Sequence, residues 1–315
     1  MYIASRWTVA DIADQTGKRV LITGANSGIG FYAALELARK GAEVILACRD
    51  TTRGETALAA IAKQAPGTRS EVATVDLASL ASVREFTRTQ LARQRPIHIL
   101  INNAGVMAPP RRRETVDGFE LQFGTNVLGH FLLTELLMPA LEQAAGDSAE
   151  RPRIVTIASI AHKRGRLDFD DLQSTRSYSP MRAYQQSKLA DLMLAFELDR
   201  RLRAKGSRVM SVAAHPGVAE TNLFRNGDYN AVERALRVLV GKVIAAALNS
   251  GYAGALPTLY AATSPDVQEG GYYGPQGLFE ARGSRVGDAN VATHARNVDA
   301  GRRLWEVCEM LTGAR

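Results

Sequence analysis

Tyr184 and Lys188 stand four positions apart in the stretch YQQSK. If that stretch is helical, both side chains leave the same face about one turn apart. A phenol ordinarily ionises near pH ~10, and an ammonium beside it favours the ionised form. Such a pair can exchange a proton near neutral pH, the work of a general acid or base. The spacing alone is a weak signal, because a chain with nine tyrosines meets a Tyr-x-x-x-Lys by chance in roughly one case in five. Ser159 strengthens it. This serine follows directly on the apolar run 153–158, and the ends of strands are where open α/β sheets hold ligands. A hydroxyl there can hold a carbonyl oxygen while Tyr184 supplies the proton; taken alone, the same serine serves equally as a turn former. Asn126, in TNVLGHF, reads by itself as an ordinary helix residue.

A second constellation lies near the start, in KRVLITGANSGIG at 18–30. Residues 19–23 are a short apolar, β-branched run that predicts a buried parallel strand. Gly24, Gly28 and Gly30 follow at once, and 29–39 reads as a helix. Strand, glycine turn and helix N-terminus together make a diphosphate site, because free backbone N–H groups and the positive end of the helix dipole point at it. Three glycines alone are weak, since turns use glycine in proteins that bind nothing.

The elements that must position these groups alternate. Strands are predicted at 43–47, 70–75, 98–101, 153–158, 209–214 and 270–275, and helices at 51–64, 79–93, 117–144, 183–203 and 298–311. This alternation implies a parallel sheet with right-handed crossovers, an α/β fold. From 159 to 179 the pattern is irregular. Val232, Leu236, Leu239, Val243, Ile244 and Ala247 recur at helical spacing; that face either packs on the domain or forms a lid over an apolar substrate. No internal repeat or linker appears, so 1–315 reads as a single domain, with a core at 18–220 and a substrate loop or lid region at 221–285.

Composition bounds the function. With 46% hydrophobic residues the chain is globular, and its two cysteines, Cys48 and Cys308, have no metal spacing and build no disulfide framework. Free thiols, a polar N-terminus and no convincing membrane span (the uncharged stretch 243–265 is broken by Asn249, Ser250 and Pro257) predict a cytoplasmic protein. A net charge of +7 and a pI near 9.6 raise the question of nucleic acid. The basic residues are scattered, however, and aromatics do not interleave with them as base stacking requires. The excess suits an anionic small ligand better.

In order along the chain stand TGANSGIG, Asp76-Leu77, the NNAG of 102–105, Asn126, Ser159, Tyr184, Lys188 and the HPG of 215–217 with Thr221. In these motifs, from Lys18 to Pro275, the chain resembles the short-chain dehydrogenase/reductase family. The resemblance implies a Rossmann fold with a doubly wound parallel sheet of about seven strands and helices on both faces. It also implies an active-site tetrad of Asn126, Ser159, Tyr184 and Lys188. The dinucleotide would lie along Gly24, Asn26, Ser27, Gly28, Ile29, Gly30, Ala104, Gly105, Leu77, Pro216, Gly217 and Val218. Asp76 would meet the adenine amine, Asn103 the adjoining ribose, Thr221 the nicotinamide carboxamide and Lys188 the nicotinamide ribose. LACRD, SIAH, LDFDDLQ and YQQSKLA are similar to the retinol-dehydrogenase-like and protochlorophyllide-reductase-like branch. Two departures stand out: Ala158 replaces the second serine of many relatives, and the gap from Ser159 to Tyr184 is long, as in the retinol-dehydrogenase-like branch. Homodimers or homotetramers through helices matching 117–144 and 183–203 are usual in the family.

An acid at the tip of the second strand would bond the adenosine ribose diol and repel a 2′-phosphate. That place falls to Cys48, followed by Arg49, whose guanidinium pairs with phosphate in two-pronged fashion. NADP(H) is therefore favoured over NAD(H). The competing view gives the diol to Asp50, which could also simply begin the next helix. The reading is an NADP(H)-dependent carbonyl reductase or alcohol dehydrogenase for a lipophilic small molecule, suggested by Leu223, Phe224 and the apolar face beyond. Its rivals are a non-catalytic NADP(H) sensor and a sugar-nucleotide epimerase. The epimerase would call for the other glycine spacing.

Overall fold

The computed structural model describes residues 7–147, 150–218 and 249–314. Its strands are β1 (Arg19–Thr23), β2 (Glu43–Cys48), β3 (Glu71–Thr74), β4 (Ile99–Asn102), β5 (Arg153–Ile157), β6 (Met210–Ala214), β7 (Tyr272–Pro275) and β8 (Val286–Asp288). They form one sheet in the order β3-β2-β1-β4-β5-β6-β7-β8. All pairs are parallel except β7 with β8. Strand order reverses between β1 and β4, and that switch point is where a crevice opens beyond the strand ends.

The described helices are α1 (Gly28–Arg39), α2 (Thr51–Gln64), α3 (Leu80–Ala92), α4 (Gly129–Asp147), α5 (Pro180–Ala204), α6 (Gly251–Thr263) and α7 (Val298–Thr312). Because both sheet faces are covered, the central strands are apolar throughout rather than alternating. Leu21 and Leu100 point into a core with Phe123, Leu132, Leu192 and Trp305, built by α3, α4, α5 and α7. Val20, Ile22, Ile99 and Ile101 point the other way, into a core with Leu37, Ile61 and Leu259 from α1, α2 and α6. Each fully buried aliphatic side chain contributes about 1.5–3 kcal/mol.

The α/β sandwich is the one expected, with differences at its edges. An eighth strand closes the sheet; at three residues, VGD, it is too short for periodicity to reveal. The helical stretch expected over 117–144 begins late. Asp117-Gly118 forms a turn, with Gly118 at φ +82° and the Asp117 carboxylate accepting from the Leu80 N–H at 2.9 Å. A π-helical turn, Phe123–Leu128, then leads into α4. Helix α6 was legible only as an uncharged stretch, since Gly251, Gly254 and Pro257 disguise it. Gly251 has a packing reason: a Cβ there would lie 2.9 Å from the Tyr32 ring of α1. The apolar face at 232–247, Leu223, Phe224 and Thr221 lie outside the described residues.

Candidate active site

A cleft of about 340 Å³ lies at the switch point. Gly24, Asn26, Ser27, Gly28, Ile29 and Gly30 form one wall, and Arg49, Asp76, Leu77, Asn103, Ala104 and Gly105 continue it. Ser159, Tyr184, Lys188, Pro216, Gly217 and Val218 close the other end. Residues far apart in sequence thus meet where a dinucleotide would lie.

The glycine turn is shaped for close approach. Gly24 and Gly28 take positive φ, +67° and +56°. A Cβ on Gly28 would meet nothing within 4 Å, so the missing side chain leaves open room rather than a packing contact. Ser27, the N-cap of α1, makes no side-chain capping bond, which leaves first-turn N–H groups available to an anion. Gly30 is different. A Cβ there would stand 2.5 Å from Asn103 Nδ2 and 2.6 Å from the Gly24 carbonyl. Gly30→Ala should therefore break the 2.7 Å bond from Asn103 Nδ2 to the Thr23 carbonyl and cost about 1–3 kcal/mol of stability; urea unfolding measures it, and an unchanged midpoint would refute this account.

Behind this wall, one hydroxyl ties the two switch-point strands together. Thr23 Oγ1 accepts the N–H groups of Asn103 and Ala104, both at 2.9 Å, and lies 2.8 Å from His130 Nε2. His130 Nδ1 is 2.8 Å from the Asn126 carbonyl. The carbonyl can only accept, so Nδ1 carries the proton and Nε2 accepts from Thr23. Burial, which pulls the imidazole down to about 4, keeps it neutral. Asn126 itself is fully buried in the π turn rather than lining the cleft. Its Oδ1 accepts from the Val106 N–H at 2.8 Å, and its Nδ2 donates to the Val106 carbonyl and Ser187 Oγ, both at 3.0 Å. It holds the NNAG loop from behind.

Helix α5 carries both Tyr184 and Lys188, and Pro180 opens it at a position where no N–H is missed. Lys188 Nζ donates to the Ile157 carbonyl at 2.9 Å and to Asp191 Oδ2 at 2.8 Å. Burial pulls the ammonium's pKa down, but the Asp191 carboxylate and Tyr184 more than offset this, and the net shift is upward. Ser159, two residues past the end of β5, is the N-cap of a short 3₁₀ turn, Ile160–Arg164, with Oγ accepting from the Ala161 N–H at 3.1 Å. Ser159 thus forms the turn and also faces the cleft. His162 fixes it from below, Nδ1 donating to the Ser159 carbonyl at 2.7 Å and Nε2 accepting from Ala292.

At the far end Asp50 caps α2, its Oδ1 accepting the Arg53 N–H at 3.0 Å. Arg49, Asp50 and Arg53 all line the cleft there. Arg53 escaped the sequence reading, although its place three residues past a helix cap in the first turn of α2 was a usable signal. His130 escaped it too; the signal was its i, i+4 spacing from Asn126.

Residues 18–230 match the short chain dehydrogenase family. The chain is 42% identical over 300 residues to polyprenol dehydrogenase of Mus musculus, covering 95% of this chain and 85% of that one. It is 41% identical over 300 residues to human retinol dehydrogenase 13, covering 94% and 85%. A crystal structure of an uncharacterized protein from Mycobacterium paratuberculosis superposes with a TM-score of 0.78 at 40% identity, covering 98% of this chain and 97% of that one. The chain belongs to the short-chain dehydrogenase family, in its retinol-dehydrogenase-like branch, and is an oxidoreductase of alcohol and carbonyl groups. Among the described residues no helix is long and apolar enough to cross a membrane.

Proposed function

We propose that this protein interconverts a lipophilic ketone or aldehyde and its alcohol with NADP(H), using Ser159, Tyr184 and Lys188. The observation that carries this reading is the convergence of those three residues with the glycine turn in one cleft. The cradle left by Gly28, the uncapped α1 N-terminus and the arginines at the adenosine end fit a phosphorylated dinucleotide. When bound, the nicotinamide accepts or donates the hydride at the substrate carbon. The Ser159 hydroxyl orients the substrate oxygen, and Tyr184 gives it a proton in reduction or takes one in oxidation. The ammonium of Lys188 stabilises the deprotonated phenol and holds the nicotinamide ribose. Asn126 keeps the loop and the π turn in register behind them, on the side where ordered water would relay protons.

Beyond Ile160 the cleft adjoins a second cavity of about 800 Å³, bordered by Met181 and Phe279 and by the charged side chains of Lys163, Arg164, Glu280 and Asp288. The lipophilic substrate class is drawn from relatives named for polyprenol and retinol. A panel of aliphatic, aromatic, steroid and isoprenoid aldehydes and ketones, offered with NADPH and then NADH, tests the reading by loss of reduced-cofactor absorbance. Turnover should favour the long apolar members with NADPH. Tight NADPH binding with no turnover on any member would instead make the protein a sensor.

A further inference from the structure

The scheme above leaves Asp191 unused. It lies three residues past Lys188 on α5, and both side chains are buried, 5% and 8% exposed. An ammonium has three N–H donors. Ile157 and Asp191 take two of them, which leaves one for the cleft that Lys188 lines together with Tyr184. Asp191 also borders a separate chamber of about 30 Å³, shared with Asn102, Thr134, Glu135 and Trp305. In that chamber's wall Asn102 Nδ2 donates to Thr134 Oγ1 at 2.9 Å, while Asn102 Oδ1 is buried with no partner. A space of that size, with an orphan acceptor and a carboxylate on its wall, suits a water molecule. Asp191 thus stands between the ammonium of the cleft and this chamber behind it.

We propose that Asp191 is a positioning residue acting through Lys188: it turns the ammonium's remaining donor toward the cleft, and its negative charge sets the pH at which the Tyr184–Lys188 pair releases a proton. This rests on the roles given above to Tyr184 and Lys188. The groups facing Lys188 and Asp191 are Tyr184 on the same helix, His130 and Glu135 on α4, and Cys308 on α7, and Tyr272 on β7 faces Tyr184. Burial holds His130 down to about 4 and pushes the Cys308 thiol well up, so neither changes charge near neutral pH. Glu135 is also pushed up by burial, with Lys205 and Arg201 opposing. Asp191 is raised to about 6 by burial against the pull of Lys188, so above that pH its charge offsets the ammonium's. Without that charge the full ammonium faces the cleft and proton release becomes easier.

The test is a near-ultraviolet phenolate titration, taking the difference between each protein and its Tyr184→Phe counterpart so that only the Tyr184-dependent step remains. It needs no turnover, so it stands or falls separately from the carbonyl panel. In Asp191→Asn, which keeps an acceptor for Lys188, the step should move about one pH unit lower, with the NADPH Kd within about tenfold of the parent. Asp191→Ser, smaller and uncharged, should move the step the same way and serves if the amide variant does not fold. An unmoved or upward-shifted step, or a Kd weakened beyond tenfold in Asp191→Asn, would overturn the proposal.

Discussion

Tyr184→Phe should lower turnover about 10³-fold in both directions, the upper middle of what a positioned acid or base supplies, while the Kd for NADPH stays within about threefold. The ring is 8% exposed, and phenylalanine keeps its packing. Its main-chain carbonyl still accepts from Ser187 Oγ at 2.9 Å, so the Asn126–Ser187 contact behind the cleft is preserved as well. What disappears is one hydroxyl at the end of the cleft. A 10³-fold loss corresponds to about 4 kcal/mol of transition-state stabilisation, more than a packing defect from one missing oxygen would cost. Single-turnover rates separate the chemical step from binding and release. Turnover within tenfold of the parent would remove Tyr184 from the proton's path and leave the cleft as a nucleotide site whose chemistry lies elsewhere.

What the sequence disclosed, and what it hid, follows from the range of the forces involved. The β1–turn–α1 unit was readable because its signals are local: a β-branched run, glycines where positive φ is needed, and an apolar helix. Tyr184 and Lys188 were readable for the same reason, one face of one helix. The depth of Asn126 was not. It depends on a π turn set by contacts across the fold: Gly124 lies where a Cβ would come 2.4 Å from the Thr115 side chain, and Gly129 where one would come 2.4 Å from the Leu77 carbonyl. Those approaches fix Asp76-Leu77 against the helix start, yet no local pattern announces them. Likewise the Thr23–His130–Asn126 chain joins three elements, and His130 looks from sequence like any helix residue. Asp50 was weighed as a ribose ligand or a helix start; the structure shows the helix start, its Oδ1 serving the Arg53 N–H, while Asp50 also lines the cleft beside Arg49 and Arg53.

That assignment leads to the second large effect. Arg49→Ala with Arg53→Ala should weaken NADPH binding about 100-fold while leaving NADH within about threefold. Hydrogen bonds to a charged partner contribute about 1.5–3 kcal/mol each, and solvent at an exposed site screens part of that. Two arginines therefore account for roughly two decades rather than four. Arg49 is exposed, so the parent's NADPH Kd should also rise with salt, and the double variant should lose most of that dependence. The Asp50 carboxylate offers the contrasting outcome. As the cap of α2, Asp50→Ala should cost about 1 kcal/mol of stability and leave the NADPH-to-NADH preference unchanged. If instead Asp50→Ala weakens NADH more than tenfold while the arginine pair proves indifferent to NADPH, the acid holds the ribose diol and the cofactor is NAD(H). The two results are mutually exclusive, since a carboxylate on the diol would repel the 2′-phosphate that the arginines would otherwise bind.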